Sequence, residues 1–239
     1  MPRIPNGETQ NHPYPPYVPE NARALILGSA PPWRFCVPGE KPLRTRDIDF
    51  YYGSSDGGGN LLWETLFRVF EPERLEEFFA LRSRDLPRPS RTREERAFLQ
   101  VFLKRHELGI ADILLRFARR EGSSADGKLT PLEFTDLLGI LATRLKLRHI
   151  LCTSRNKVFF WLSQYLREQG IEIQPDIDSG DWFFQLPSGS EKIGGSGRIQ
   201  VSVLPSPSPV GRIRFPSQEK FSEYLVQAYD AKIKPVAGK

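Results

Sequence analysis

The chain is poor in the residues that build disulfide frameworks and metal centres. Its 239 residues include two cysteines, Cys36 and Cys152, and three histidines. Two thiols are too few for an iron–sulfur cluster, a cysteine-rich zinc site or a disulfide framework. The histidines, His12, His106 and His149, are scattered without the spacing of metal ligands. We therefore expect neither a metal nor a cofactor, and the cysteine usage suits a reducing compartment.

Long apolar runs are also absent. No stretch reaches the roughly 18 residues that a membrane-spanning helix needs. The first residues, MPRIPNGETQNHPYPPY, lack the apolar core of a secretion signal. These features predict a soluble, cytoplasmic protein with no membrane partner.

Positive charge, in contrast, is in excess. Lysine and arginine number 34 against 29 acidic residues, which leaves a formal net charge of +5 and a pI near 9.3. This balance favours an acidic partner such as a nucleic acid backbone, although many basic proteins bind none. The basic run RSRDLPRPSRTREER at residues 82–96 is either a solvated face or a surface that touches DNA.

Short apolar runs alternate with helical patterns along the chain. Strands are predicted in ARALILGS, RHILCTS, DWFFQLP and RIQVSVLP, the last two joined by the glycine- and serine-rich segment at residues 188–197. Helices are predicted near residues 60–70, 73–81, 93–105, 108–121, 130–147, 156–170 and 215–233. This order predicts an α/β fold of three layers, αβα, around a central and mostly parallel sheet of about four strands.

The ends of the chain differ from its middle in composition. Residues 1–20 carry six prolines, which disfavour helix and predict an extended N-terminal arm. We expect a single α/β domain over residues 21–234 and a flexible C-terminal tail over residues 235–239.

Three predicted strands end in segments whose residues could carry chemistry. GSAPPW, LCTSRNK and LPSPSPVGRIR, at residues 28–33, 151–157 and 204–214, would meet at the carboxyl edge of a parallel sheet. DFYYGSSDGGGNLLW, the glycine-rich loop of residues 49–63, enters a helix whose free N–H groups can face an anion or a carbonyl oxygen.

In this order, the segments resemble the uracil-DNA glycosylase superfamily, especially its mismatch-specific and hypoxanthine-acting branches. GSAPP resembles the first motif, the glycine-rich loop resembles the tyrosine-rich loop, and LPSPSP resembles the second motif, which pushes into the duplex. LGIADILLRFARREGSSADGKL is similar to a helix beginning Gly-Ile that runs into a Gly-Ser loop, where Asp112 would orient a loop or cap a backbone group. The resemblance covers roughly residues 23–215.

The resemblance implies a monofunctional, metal-independent glycosylase that flips uracil or hypoxanthine out of DNA and hydrolyses its N-glycosidic bond. Many members carry an acid or amide where this chain has Ser29 and Ala30. The hypoxanthine-acting branch relies instead on an asparagine of the tyrosine-rich loop, which maps onto Asn60. Thr153 stands where an asparagine often reads the base, and Leu204 where a histidine or asparagine often sits.

These matches assign the catalytic roles. Asn60 is expected to position the attacking water, and Ser29 to share the site with it. Backbone N–H groups of Ser29, Ala30 and Trp33, next to Gly28, would hold the carbonyl oxygens of the base in a dry pocket.

Other residues are expected to contact the base. Trp33, Phe35 and Tyr52 are candidates to stack on it, with the alternative that some of them pack in the core. Thr153 and Asn156 follow the middle strand and would meet the edge of the base.

The proline–serine loop, residues 204–214, is the expected DNA contact. Its candidate residues are Ser206, Pro207, Ser208, Val210, Arg212 and Arg214. The serines would grip a phosphate, the valine would wedge into the base stack and the arginines would meet phosphates. The alternative is a proline-rich surface turn.

Two further functions stay open at the level of sequence. Ala30, Thr153 and Leu204 suit a member that binds damaged DNA or a nucleotide without excision. A hydrolase or nucleotide-transfer enzyme using Ser29 or Ser206 as nucleophile lacks the Gly-x-Ser-x-Gly pattern. The expected partner is DNA, damaged or mismatched duplex or single-stranded, bound by a nucleoid-associated monomer.

Overall fold

Two β-sheets organise the chain in a computed structural model that describes residues 8–37, 43–83, 88–120, 128–187 and 197–237. The strands are β1 Glu8–Asn11, β2 Ala24–Gly28, β3 Leu108–Asp112, β4 Leu114–Arg119, β5 Leu129–Phe134, β6 His149–Cys152, β7 Gln174–Pro175, β8 Trp182–Gln185 and β9 Arg198–Val203. The α-helices are α1 Trp33–Cys36, α2 Leu62–Phe70, α3 Leu75–Ser83, α4 Arg88–Arg105, α5 Leu137–Thr143, α6 Phe160–Glu168 and α7 Gln218–Ile233.

The larger sheet has six strands in the order β3-β2-β6-β9-β8-β7. The first four are parallel to one another, and β8 and β7 pair antiparallel at one side. The predicted α/β class is therefore confirmed. The expected count of about four mostly parallel strands is too low, because an antiparallel pair extends the parallel core.

The helix predicted over residues 108–121 is wrong in its described part. Residues 108–119 form β3 and β4 instead, and every residue of β3 is buried. A strand covered on both faces is apolar throughout, so its pattern resembles that of a buried helix. The helix predicted from Thr130 likewise begins only at Leu137, because residues 129–134 form β5 and Asp136 caps the helix by accepting from the Gly139 N–H.

The proline-rich arm is extended but packs on the domain where the structure describes it. Strand β1 pairs antiparallel with β4, which pairs with β5 in a separate three-stranded sheet. Tyr14 is buried, and Tyr17 forms a bridge to Ile110 of β3. At the other end, Ala237 is buried in the core. The proposed domain boundaries at residues 20 and 234 stay predictions.

Both faces of the larger sheet are covered by apolar side chains. Ala24 and Ile26 of β2 face a cluster with α2, α4 and α7. Leu25 and Leu27 face a second cluster with α5, α6 and β4. Alternate side chains of one strand thus enter two cores, as the expected three layers require.

Three other features of the sequence compare with the described residues as follows. The glycine- and serine-rich connection before β9 lies almost wholly outside the described residues. Within the basic run at residues 82–96, α4 begins at Arg88, inside the segment expected to separate two helices. No helix of the described ranges is long and apolar enough to cross a membrane.

Candidate functional site

Three neighbouring parallel strands bring polar groups to one edge of the larger sheet. Gly28 ends β2 and pairs in register with Asp112, which ends β3. Thr153 directly follows β6 and donates its N–H to the Leu27 carbonyl oxygen at 3.0 Å. This carboxyl edge is where α/β proteins place their ligands.

Gly28 lets two polar side chains approach the backbone closely. A Cβ at this position would lie 2.0 Å from Asp112 Oδ1 and 2.3 Å from Tyr52 Oη. Any side chain larger than hydrogen would displace both groups. Tyr52 itself has a φ of 55°, a left-handed conformation that is strained for a non-glycine residue and is common at functional sites.

Tyr52 also contacts the third strand end. Its Oη lies 2.8 Å from Thr153 Oγ1. The Thr153 hydroxyl donates to the Leu27 carbonyl oxygen at 3.1 Å, so Tyr52 is the donor between the two hydroxyls. Gly28, Tyr52 and Thr153, all expected at the site, are therefore brought together.

A histidine of the N-terminal arm reaches the same edge. His12 Nε2 lies 2.9 Å from Asp112 Oδ2, and both side chains are nearly inaccessible to solvent. The other ring nitrogen, Nδ1, lies 3.1 Å from the Tyr14 nitrogen and 2.8 Å from the Tyr14 carbonyl oxygen. The ring stacks on Tyr51, with centroids 5.3 Å apart. Burial, together with the nearby Asp112, raises the pKa of Tyr51 above its usual range, so Tyr51 stays neutral.

This His12–Asp112 pair was not expected from the sequence. The two residues are 100 positions apart and meet only because β1 pairs with β4. The one available signal is a single acidic residue within the apolar run LGIADILL. The sequence analysis considered His12 only as a metal ligand, so it missed this contact.

A buried ion pair holds the glycine-rich loop against the first motif. Arg34 donates from Nε and Nη2 to the two carboxylate oxygens of Asp47, each at 2.7 Å, and also contacts Asp56. The N–H of Ser55 donates to Asp47 at 2.8 Å. Burial alone would raise the pKa of Asp47, but the bonds from Arg34 and Ser55 lower it to about 2. Asp47 therefore stays ionised and ties the loop down.

Asn60 lies at the end of this loop, half-buried at the start of α2. Its Oδ1 accepts from the Leu62 N–H at 3.0 Å, and its own N–H donates to the Ser54 carbonyl oxygen at 2.9 Å. The side-chain oxygen is thus engaged in a local turn, with one lone pair left over.

The glycine-rich and proline–serine loops lie side by side. The Leu61 N–H donates to the Pro207 carbonyl oxygen at 3.0 Å. Gly57 approaches Pro209 so closely that a Cβ would lie 3.1 Å from the proline ring. Two of the predicted motifs are therefore in direct contact.

The proline–serine loop is held by its own serines. Ser206 Oγ accepts from the Ser208 N–H at 3.3 Å, and Ser208 Oγ accepts from the Val210 N–H at 3.4 Å. The hydroxyl protons of both serines remain for an outside acceptor such as a phosphate. Tyr229 anchors the base of the loop by donating to the Pro205 carbonyl oxygen at 3.1 Å.

The tip of this loop is apolar and flanked by cations. It forms a short 3-10 helix, Pro209–Arg214. Val210 is 72% exposed and Ile213 is 84% exposed. Arg212 and Arg214 are exposed beside them. Ile213 was not singled out from the sequence, although it is the more exposed of the two apolar side chains.

The remaining expected residues take other positions. Phe35 is 6% exposed and packs in the larger core cluster, so the core alternative is the one that the structure shows. Trp33 is half-buried, and its indole N–H donates to Glu8 at 2.8 Å. Asn156 is exposed on the turn Arg155–Phe159. Leu204 is buried, as a core residue would be.

The first motif itself follows β2 closely. The Ser29 carbonyl oxygen accepts from the Leu114 N–H at 3.2 Å, and Ala30 is half-buried against the second cluster. In the part of the chain that the structure describes, no three His, Cys, Asp or Glu side chains are grouped to hold a metal ion.

Comparison with known proteins finds similarity at the level of structure. No protein-family model matches the chain, and no curated protein matches it either. A solution NMR structure from Methanosarcina acetivorans, named "putative Uracil DNA glycosylase", is similar at 20% identity over 94% of this chain and 98% of that chain, with a TM-score of 0.49. A likeness of this degree leaves the function to be argued from the residues of the site.

Proposed function

We propose that the protein is a DNA glycosylase of the uracil-DNA glycosylase superfamily, which flips uracil or hypoxanthine out of DNA and hydrolyses its N-glycosidic bond. One observation carries the proposal: hydroxyl and carboxylate groups converge over Gly28 at the edge of the sheet, and the loop system beside them ends in an exposed apolar tip. A base extruded from the duplex needs both a polar pocket and a wedge that fills its place.

The wedge would be the tip of the proline–serine loop. Val210 and Ile213 present apolar surface to solvent and can insert between base pairs. Arg212 and Arg214 flank them and can neutralise phosphates on either side. Because the prolines and the serine bonds already order the loop, little entropy is lost on binding.

The pocket would be built by the first motif and the strand ends. Pro31 and Pro32 have no N–H, so donors to a base carbonyl must come from Ser29, Ala30 or Trp33. The ring of Tyr52 would lie against the base, with its Oη held by Thr153 at the end of β6.

Asn60 would contribute to placing the attacking water. Its Oδ1 retains one lone pair beside the bond to the Leu62 N–H, and its amide group can donate. An amide orients a water molecule but does not take its proton.

A second candidate is a protein that binds damaged DNA or a nucleotide without excision. The observation that favours it is the local bond of Asn60 Oδ1, which occupies part of the group expected to hold the water. The proline–serine loop would serve either function equally well. We propose that the glycosylase acts on DNA at the nucleoid, as a monomer.

Base release from labelled duplexes separates the two candidates. With protein in excess over U:G and I:T substrates and no added metal, we expect free base to appear and abasic DNA to accumulate. Binding that weakens steeply with salt, without any released base, would instead support the non-catalytic candidate. If the protein shows neither base release nor salt-sensitive binding, both candidates are excluded.

A further inference from the structure

Arginines neutralise three carboxylates in or beside the glycine-rich loop. Arg34 holds both Asp47 and Asp56, and Arg96 Nη2 lies 3.3 Å from Asp49 Oδ2. A guanidinium keeps its proton, and its directed hydrogen bonds hold a carboxylate in one place. These three groups therefore suit the shaping of the loop and not proton transfer.

Asp112 is placed differently. It is 7% exposed, at the carboxyl edge of the sheet, and its Oδ2 is bonded to His12 Nε2. Its Oδ1 lies against the Cα of Gly28, facing the same point as Tyr52 Oη. In the ranges that the structure describes, no hydrogen bond is found to Oδ1. One oxygen of this buried carboxylate is thus held, and the other is left for a ligand.

We propose that Asp112 is the catalytic base of the reaction and that His12 is its positioning residue. The inference rests on the proposed glycosylase function. The oxygen of a water molecule forms a bond to C1′ of the sugar while the C1′–N bond breaks and its electron pair leaves with the base. The proton of the water passes to Asp112, and the departing base later takes a proton from solvent.

The chemistry of the reaction favours a carboxylate in this role. The sugar passes through a state that resembles an oxocarbenium ion, and a nearby negative charge stabilises it. A carboxylate can also accept the proton of the water, which the amide of Asn60 cannot. Asp112 therefore supplies the group that the first motif lacks at Ser29 and Ala30.

The N-terminal arm has a defined function in this proposal. The pairing of β1 with β4 places His12 at the edge of the sheet. The backbone N–H of His12 donates to the Leu115 carbonyl oxygen at 2.8 Å. The imidazole then fixes the plane of the Asp112 carboxylate. A hydrogen bond to one oxygen of a carboxylate determines where the other, catalytic oxygen points.

The first test is the single-turnover rate of base release by Asp112→Asn. The substitution keeps the shape of the side chain but cannot accept a proton. We expect release to slow by about 100- to 10,000-fold, with binding to abasic product DNA within about 2-fold of the parent.

Glu71→Gln is the matched control. Glu71 is another buried carboxylate bonded to a histidine, with Oε1 2.8 Å from His106 Nε2, and His106 precedes the opposite end of β3. We expect this variant to release base at about the parent rate once folded. A slowing equal to that of Asp112→Asn would show that losing any such buried pair suffices, and would overturn the proposal.

His12 is tested by conservative replacement. His12→Gln retains an N–H donor and is expected to keep more activity than His12→Ala, with equal DNA binding by both. Formate should partly restore release by Asp112→Ala, because it returns a carboxylate to the site. If Asp112→Asn releases base at the parent rate, Asp112 is not the catalytic base. If both His12 variants release base at equal rates, His12 is not the positioning residue. If the parent protein releases no base, the proposed function fails and this inference fails with it.

Discussion

Replacing Gly28 with alanine tests the convergence at the sheet edge directly. The added Cβ would lie 2.0 Å from Asp112 Oδ1, 2.3 Å from Tyr52 Oη and 2.9 Å from Tyr52 Cζ. Both polar groups must retreat by about 1 Å, and a displacement of that size at a reacting centre costs about 100-fold in rate. Overpacking a buried site costs about 1–3 kcal/mol, which lowers the Tm by about 2–4 °C for each kcal/mol in a domain of this size.

Two measurements separate the local effect from general destabilisation. The rate of base release is followed under single turnover at a temperature well below the Tm of the variant, and the Tm is measured by thermal unfolding. Gly109→Ala is the control, because Gly109 lies on the neighbouring strand β3 and the three atoms nearest to its Cβ would be apolar, with Val18 Cγ1 at 3.0 Å. We expect this control to lose stability while keeping the parent rate.

The opposite outcome would refute the reasoning about the edge. If Gly28→Ala releases base as fast as Gly109→Ala, then the groups that converge over Gly28 do not take part in the reaction. A loss of rate shared equally by both variants would point to the fold and not to the site.

Two other predictions follow from the loops. The double substitution Val210→Ser and Ile213→Ser removes the apolar tip. We expect it to slow base release from duplex DNA by about 10-fold or more but to leave release from single-stranded DNA unchanged, because only a paired base must be unstacked. Equal slowing on both substrates would contradict a wedge. The pKa of Asp47 is lowered from 3.8 to about 2 by its bonds to Arg34, Ser55 and Arg44. The ionised carboxylate therefore adds about 2 kcal/mol to the free energy of unfolding above pH 4, and this contribution is lost as the pH falls from about 4 to 2. Denaturant unfolding across that range should show a smaller pH dependence for Asp47→Asn than for the parent protein.

Much of the secondary structure could be predicted because its signals are local. Strands β2, β6, β8 and β9 and helices α2, α6 and α7 lie where the apolar runs and periodic patterns indicated. The prediction failed over residues 108–119 and 129–134, where β3, β4 and β5 replace helical segments. The burial of β3 on both faces removes the alternation by which a strand is recognised, and burial is decided by the neighbouring strands.

The candidate site divides in the same way. The glycine-rich and proline–serine loops are visible in the sequence because glycine, proline and serine mark turns by their own conformational preferences. Their contact with each other, through Leu61 and Pro207, is not visible. The burial of Phe35 also required the fold, since an aromatic ring near a motif suits stacking and core packing equally well.

By itself, the sequence determined the α/β class, the positions of the loops and the positive charge that suits a DNA partner. Only the tertiary structure decided which polar groups share the edge of the sheet. Gly28 and Asp112 meet because parallel strands align their ends, Tyr52 reaches them from the glycine-rich loop, and His12 joins them because β1 pairs with β4. Such pairings depend on the relative placement of segments far apart in the chain, for which local propensities carry no information.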